Sequence, residues 1–106
     1  MSGDPAAPGR VDFARVNAAA LSALPALLAR WLPDGEWRGA EYIAKNPRRA
    51  DRRRGSFRVN RNGKWSDFAL AGVAGGDVVS LAAYLADLTQ VEAARGLARA
   101  LGIDPA

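Results

Sequence analysis

Arg48, Arg49, Arg52, Arg53, Arg54, Arg58, Arg61 and Lys64 fall within seventeen residues, a density of cationic donors suited to holding phosphate oxygens. The wider window 38–64 adds Arg38 and Lys45 and contains only Glu41 and Asp51 as acids, for a net charge of +8. The rest of the chain carries −4, so the overall charge of +4 is the sum of two parts of opposite sign. Cations gathered this closely repel one another unless an anion or salt screens them, which points to a polyanionic partner. Trp65 directly follows Lys64 and supplies an aromatic surface beside the cations. Arginine pairs with phosphate and stacks on bases, and an indole can receive an unpaired base, so the combination suits single-stranded nucleic acid. The competing role for Trp65 is to cover the second face of a hairpin against a helix.

The same inventory excludes much else. The 106 residues contain no Cys and no His, which removes disulfides, zinc ribbons and fingers, histidine-ligated haem, and nucleophilic sites built on a thiol or an imidazole base. Glu36, Glu41, Asp51, Asp67 and Asp77 follow no spacing that demands a divalent cation, and the glycine-rich 72–76 stretch lacks the Lys-Ser/Thr ending of a phosphate loop. A non-catalytic domain without metal or cofactor is expected. The longest mostly apolar stretch, 18–32, is interrupted by Ser22, Pro25 and Arg30 and is too short and broken to span a bilayer. Residues 1–10, rich in Pro and Gly, lack a charged start followed by an apolar run, so no membrane partner and a cytoplasmic location are expected.

Positioning the basic window requires a scaffold, and the flanking patterns supply one. Residues 1–10 read as a disordered tail and 11–106 as one domain. Asp12 is placed to cap a helical segment whose apolar residues Phe13, Val16, Ala20, Leu24, Leu27, Leu28 and Trp31 recur at three and four. Pro25 must kink or divide it, and Pro33-Asp34-Gly35 ends it. Residues 38–44 read as a short strand, 45–54 as an arginine-rich loop, and 56–68 as a hairpin turning at Asn62-Gly63. A two-residue turn there sets Asn60 opposite Trp65, Val59 opposite Ser66, Arg58 opposite Asp67 and Phe57 opposite Phe68. Phe57, Val59 and Phe68 then face the core, while Trp65 shares the other face with Arg58 and Asp67. Residues 72–76 read as a flexible loop. Asp77 caps a second helix, and Thr89 with Glu92 forms a capping box for a third that stops at Gly102. The fold class is therefore α+β: a small antiparallel sheet, made of a strand plus a hairpin, packed with an N-terminal helical segment and two C-terminal helices.

The order Asn46-Pro47, Gly55-Ser56-Phe57, Asp67-Phe68-Ala69-Leu70, Gly75-Gly76-Asp77 and Ala100-Leu101-Gly102-Ile103 resembles the N-terminal zinc-binding domain of bacterial and phage DNA primases. In that family a Cys-Pro pair leads through a charged loop to Pro-Ser-Phe. A hairpin then carries Cys-Phe-x-Cys, and Gly-Gly-Asp opens a helix. The likeness covers about 41–103, and every metal ligand of the pattern is absent, so it implies a zinc-free variant. Without zinc, Phe57, Val59 and Phe68 must hold the fold by packing on the helices, with Trp31, Leu81, Leu85 and Leu97 as partners and the long first helical segment as a replacement for the metal.

The resemblance implies a non-catalytic, template-holding role on single-stranded DNA in the replication of a phage or mobile element, with a replication helicase or primase as a protein partner. RNA and duplex DNA are the alternative nucleic-acid targets. The contrasting expectation is a protein-interaction module in which the former primase domain docks a helicase, polymerase or host factor through its alanine-rich helices.

Overall fold

The computed structural model describes residues 10–48 and 55–106. Asp12 caps α1 (Phe13–Ser22), its carboxylate accepting the Arg15 amide at 3.1 Å. Pro25 does not kink one long helix but divides it: the chain breaks at Ala23 and α2 (Leu24–Trp31) begins with proline in its first turn, where the missing amide costs nothing. The Asp12 amide also donates to the Pro105 carbonyl at 2.8 Å, tying the start of α1 to the chain beyond the last helix.

The expected single strand over 38–44 is instead a hairpin of β1 (Glu36–Arg38) and β2 (Glu41–Ala44), turning through Gly39 at φ +62° and Ala40. It is followed by β3 (Phe57–Asn60), β4 (Trp65–Asp67) and the two-residue β5 (Ala74–Gly75), which lies inside the stretch expected to be a loop. The five strands form one antiparallel sheet in chain order. Asp77 caps α3 (Val78–Ala86), its side chain accepting the Ser80 amide at 2.8 Å. Thr89 and Glu92 complete both bonds of the capping box at α4 (Gln90–Leu101), and Gly102 closes that helix at φ +72°. The α+β class thus stands, with five strands and four helices among the described residues.

The register of the β3–β4 hairpin corrects the expectation. Asn60 donates its amide to the Lys64 carbonyl and accepts from the Gly63 amide, so the loop holds three residues, with Gly63 at φ +93° as its bulge. Val59 therefore faces Trp65, Arg58 faces Ser66 and Phe57 faces Asp67. A one-residue shift exchanges every side chain between the two faces of a strand. Trp65 moves into the core at 6% exposure, and Phe68, assigned to the core from sequence, is 68% exposed.

One face of the sheet, built from Tyr42, Ala44, Phe57, Val59 and Trp65, packs on the helices against Val16, Leu24, Leu28, Val79, Leu81 and Leu97. Trp31 and Leu85 join only partly buried. Tyr84 of α3 completes an aromatic cluster, its ring 5.0 Å from Trp65 and 6.1 Å from Phe57. Gly35 lets the chain pass flat beside Tyr42, because a Cβ there would lie 2.4 Å from the ring. That approach seats the Tyr42 hydroxyl on the Leu32 carbonyl at 2.7 Å, joining the end of α2 to the sheet. The opposite face carries Glu36, Arg38, Glu41, Ile43, Arg58, Asn60, Ser66 and Ala74, none of them buried.

Candidate nucleic-acid interface

The open sheet face owes its charge to the alternation of β3, which sends Phe57 and Val59 inward and Arg58 and Asn60 outward. Arg58 sits at its centre, between Ile43 and Ser66 on the neighbouring strands. Its Nε donates to the Gly55 carbonyl at 3.0 Å and its Nη1 to Glu41 Oε1 at 3.1 Å, which fixes the guanidinium plane over the exposed Phe68 ring, 5.3 Å from the centroid. Glu41, Arg58, Asn60, Asn62, Lys64 and Ser66 line a shallow cleft of about 200 Å³ on this face. The Lys64 side chain makes no ion pair among the described residues and stands exposed at the cleft.

Arg61, in the hairpin loop, lies flat on Trp37 with its guanidinium carbon 3.8 Å from the ring centroid, and its Nε reaches the Gly39 carbonyl at 3.3 Å. Arg38 at the sheet edge is mostly exposed and pairs with Glu36 at 3.1 Å. Stacking and partial pairing of this kind leave guanidinium N–H groups available to an incoming anion while holding the plane in place.

The structure therefore gathers Arg58, Arg61 and Lys64 around one hairpin but sends Arg48 elsewhere. Arg48 lies 4.9 Å over the Tyr84 ring, donates to the Tyr84 carbonyl at 3.0 Å and approaches Asp87 at 3.5 Å, where it counters the negative C-terminal end of α3. Arg49, Arg52, Arg53 and Arg54 lie outside the described residues, as do residues 1–9 of the expected 1–10 tail.

Trp65 requires the main correction. Its indole Nε1 donates to Ser80 Oγ at 2.9 Å and its ring is enclosed by Phe57 and Tyr84, so it is a core residue and offers no platform to a base. The exposed aromatic beside the cations is Phe68, which the sequence reading had placed inside. A glycine-bulged three-residue loop at Asn62-Gly63 was the signal that could have exchanged the two.

Sequence reading also missed a buried polar pair. Asn46 and Asp67, at 0% and 2% exposure, meet where Asn46 Nδ2 donates to Asp67 Oδ2 at 2.8 Å. The same amide group contacts the Tyr84 hydroxyl at 2.7 Å, and Asp67 Oδ1 accepts the Ala69 amide at 2.9 Å. Asn46 Oδ1 accepts the Arg48 amide at 2.8 Å. No cluster of three or more acidic side chains that could hold a metal occurs among the described residues. No helix among them is long and apolar enough to cross a membrane. The chain matches no family model, no curated protein and no solved structure, so its functional reading rests on its own residues.

Proposed function

We propose that this chain is a non-catalytic domain that binds single-stranded nucleic acid on the open face of its sheet and the hairpin beside it. The observation that carries this reading is the uncovered face centred on Arg58, with Lys64 and Arg61 beside it and Phe68 exposed under the Arg58 guanidinium. Cations would hold the phosphates while Phe68 takes over from Trp65 as the surface on which an unpaired base stacks. The four arginines at 49 and 52–54 enter the same chain segment between β2 and β3 and add to the electrostatic attraction.

The meeting of Asn46 with Asp67 supports the likeness to a primase zinc domain in zinc-free form. Under that likeness both residues fall at positions that carry ligands in the family pattern, and here a hydrogen bond joins them. On this reading the domain works in the cytoplasm, holding a single-stranded template during replication of a phage or mobile element, alongside a replication helicase or primase.

Fluorescence anisotropy of labelled single-stranded DNA tests the proposal, at two salt concentrations and with duplex DNA and RNA as competitors. Expected is binding that favours single strands, weakens with salt, and falls about 5- to 150-fold in Phe68→Ala, the range equivalent to stacking on one base. Absence of binding at low salt would refute it, and duplex DNA competing better than single strands would redirect the target.

A further inference from the structure

The helices, together with Pro47 beyond β2, form a second surface. Leu27 and Trp31 of α2, Leu85 of α3 and Leu97 of α4 line a cleft of about 380 Å³, open to solvent and without a carboxylate in its lining. Gly96 lies in its wall at the middle of α4. Glycine inside a helix is unfavourable relative to alanine, and here nothing among the described residues requires it. A Cβ built at Gly96 would meet only the tip of the Arg99 side chain, 3.8 Å away. Among the described residues, the space over Gly96 is thus free of backbone from any other part of the chain and gives close access to an external one.

Charge identifies what could fill it. Arg30 lies in the cleft wall and the Arg99 guanidinium stands over Gly96, and neither pairs with a carboxylate among the described residues. An apolar floor beside two uncompensated arginines is complementary to a helix with an apolar stripe flanked by Asp or Glu. The glycine favours such a helix over a small molecule, because it admits a backbone at short range along the axis of α4.

We propose that the α2–α3–α4 cleft docks an acidic amphipathic helix of a partner protein, with Gly96 as the point of closest approach and Arg30 and Arg99 as the charged rim. Because the cleft and the sheet-face cleft share no lining residue, docking and nucleic-acid binding can occur together, and the two proposals stand or fall separately.

The test uses the full chain and two labelled helical peptides with the same leucine stripe, one flanked by Glu and the other by Lys. The Glu peptide is expected to bind with a Kd below about 100 µM and the Lys peptide at least tenfold more weakly. Gly96→Leu fills the cleft at a position with room for a side chain and is expected to remain folded while losing the Glu peptide by at least tenfold. Arg30→Glu, at an exposed site, is expected to reverse the preference toward the Lys peptide. Arg61→Glu/Lys64→Glu, on the sheet side, should leave peptide binding unchanged. Equal binding of both peptides, unaltered binding by Gly96→Leu, or loss in the sheet-side variant overturns the proposal. So does self-association of the wild type that Gly96→Leu abolishes, which would make a second copy the occupant.

Discussion

Asn46 and Asp67, twenty-one residues apart in sequence, meet in the interior with the amide nitrogen of one 2.8 Å from a carboxylate oxygen of the other. This contact ties the chain leaving β2 to the end of β4, and Tyr84 extends it to α3. A buried carboxylate is tolerable only because hydrogen bonds compensate its lost hydration. Asp67→Ala removes the acceptor of both Asn46 and the Ala69 amide and is expected to cost roughly 1–3 kcal/mol. Urea denaturation checks it, and an unchanged midpoint would show that the pair contributes nothing net.

Trp65 and Phe68 should separate stability from binding. Trp65→Ala empties an enclosed aromatic site and leaves Ser80 Oγ without its indole donor, for an expected loss of about 3–5 kcal/mol. Phe68→Ala removes an exposed ring and should change stability by no more than about 0.5 kcal/mol. The expected signature is therefore a large fall in Tm for the first and an almost unaltered Tm with weakened single-strand binding for the second.

The salt dependence of binding should report on the hairpin cations individually. Replacing Lys64 or Arg61 by Ala is expected to weaken binding similarly across sequences and to lower the slope of log affinity against log salt by about 1 each, as one phosphate contact is lost. An unchanged slope in both variants would place the phosphates elsewhere, with the 49–54 arginines as the next to replace.

The capping box gives a pH dependence with a defined sign. The Thr89 backbone amide, reinforced by the Thr89 side chain, holds the Glu92 carboxyl below its ordinary value of 4.5. A carboxyl depressed in the folded state stabilises the fold above its unfolded pKa, and that contribution is lost as pH falls through the folded value. The stability difference between the wild type and Glu92→Ala should accordingly hold above about pH 5 and narrow as the pH falls below 4.5. A difference that stays constant over that range would remove the carboxylate from the account.

Gly96→Ala offers a check on α4 that needs no partner. With open space at the Cβ position, the substitution is expected to stabilise the domain by about 0.5–1 kcal/mol, read as a rise in the urea midpoint. Destabilisation would mean that the helix cannot accept a side chain at this position.

What the sequence disclosed was local. Asp12, Asp77 and Thr89 each bond an amide three residues ahead, so their residue types announce the helix starts without knowledge of the rest of the fold. The division at Pro25 is equally local, because it follows from one missing amide. The hairpin register was not, since Asn62-Gly63 suits both a two-residue turn and a three-residue loop with glycine in the bulge. What selects the latter is tertiary: Ser80 and Tyr84 of α3 receive Trp65, and neither is signalled near the turn. Strand β1 escaped notice because three residues between Gly35 and Gly39 carry too little alternation to read. At the candidate site, the clustering of Arg58, Arg61 and Lys64 was legible from hairpin spacing. The diversion of Arg48 to α3 and the meeting of Asn46 with Asp67 depend on chain segments brought together only by folding.

The bond from the Asp12 amide to the Pro105 carbonyl puts the start of the first helix beside the chain that follows α4. A circular permutant that bridges these points with a short linker and opens new ends at the Gly39-Ala40 turn would keep every helix cap and the β2–β5 ladder. In such a rearranged chain both β1 and β2 begin or end at the break, so the outermost strand becomes the sole element whose pairing is no longer intramolecularly tethered by a turn.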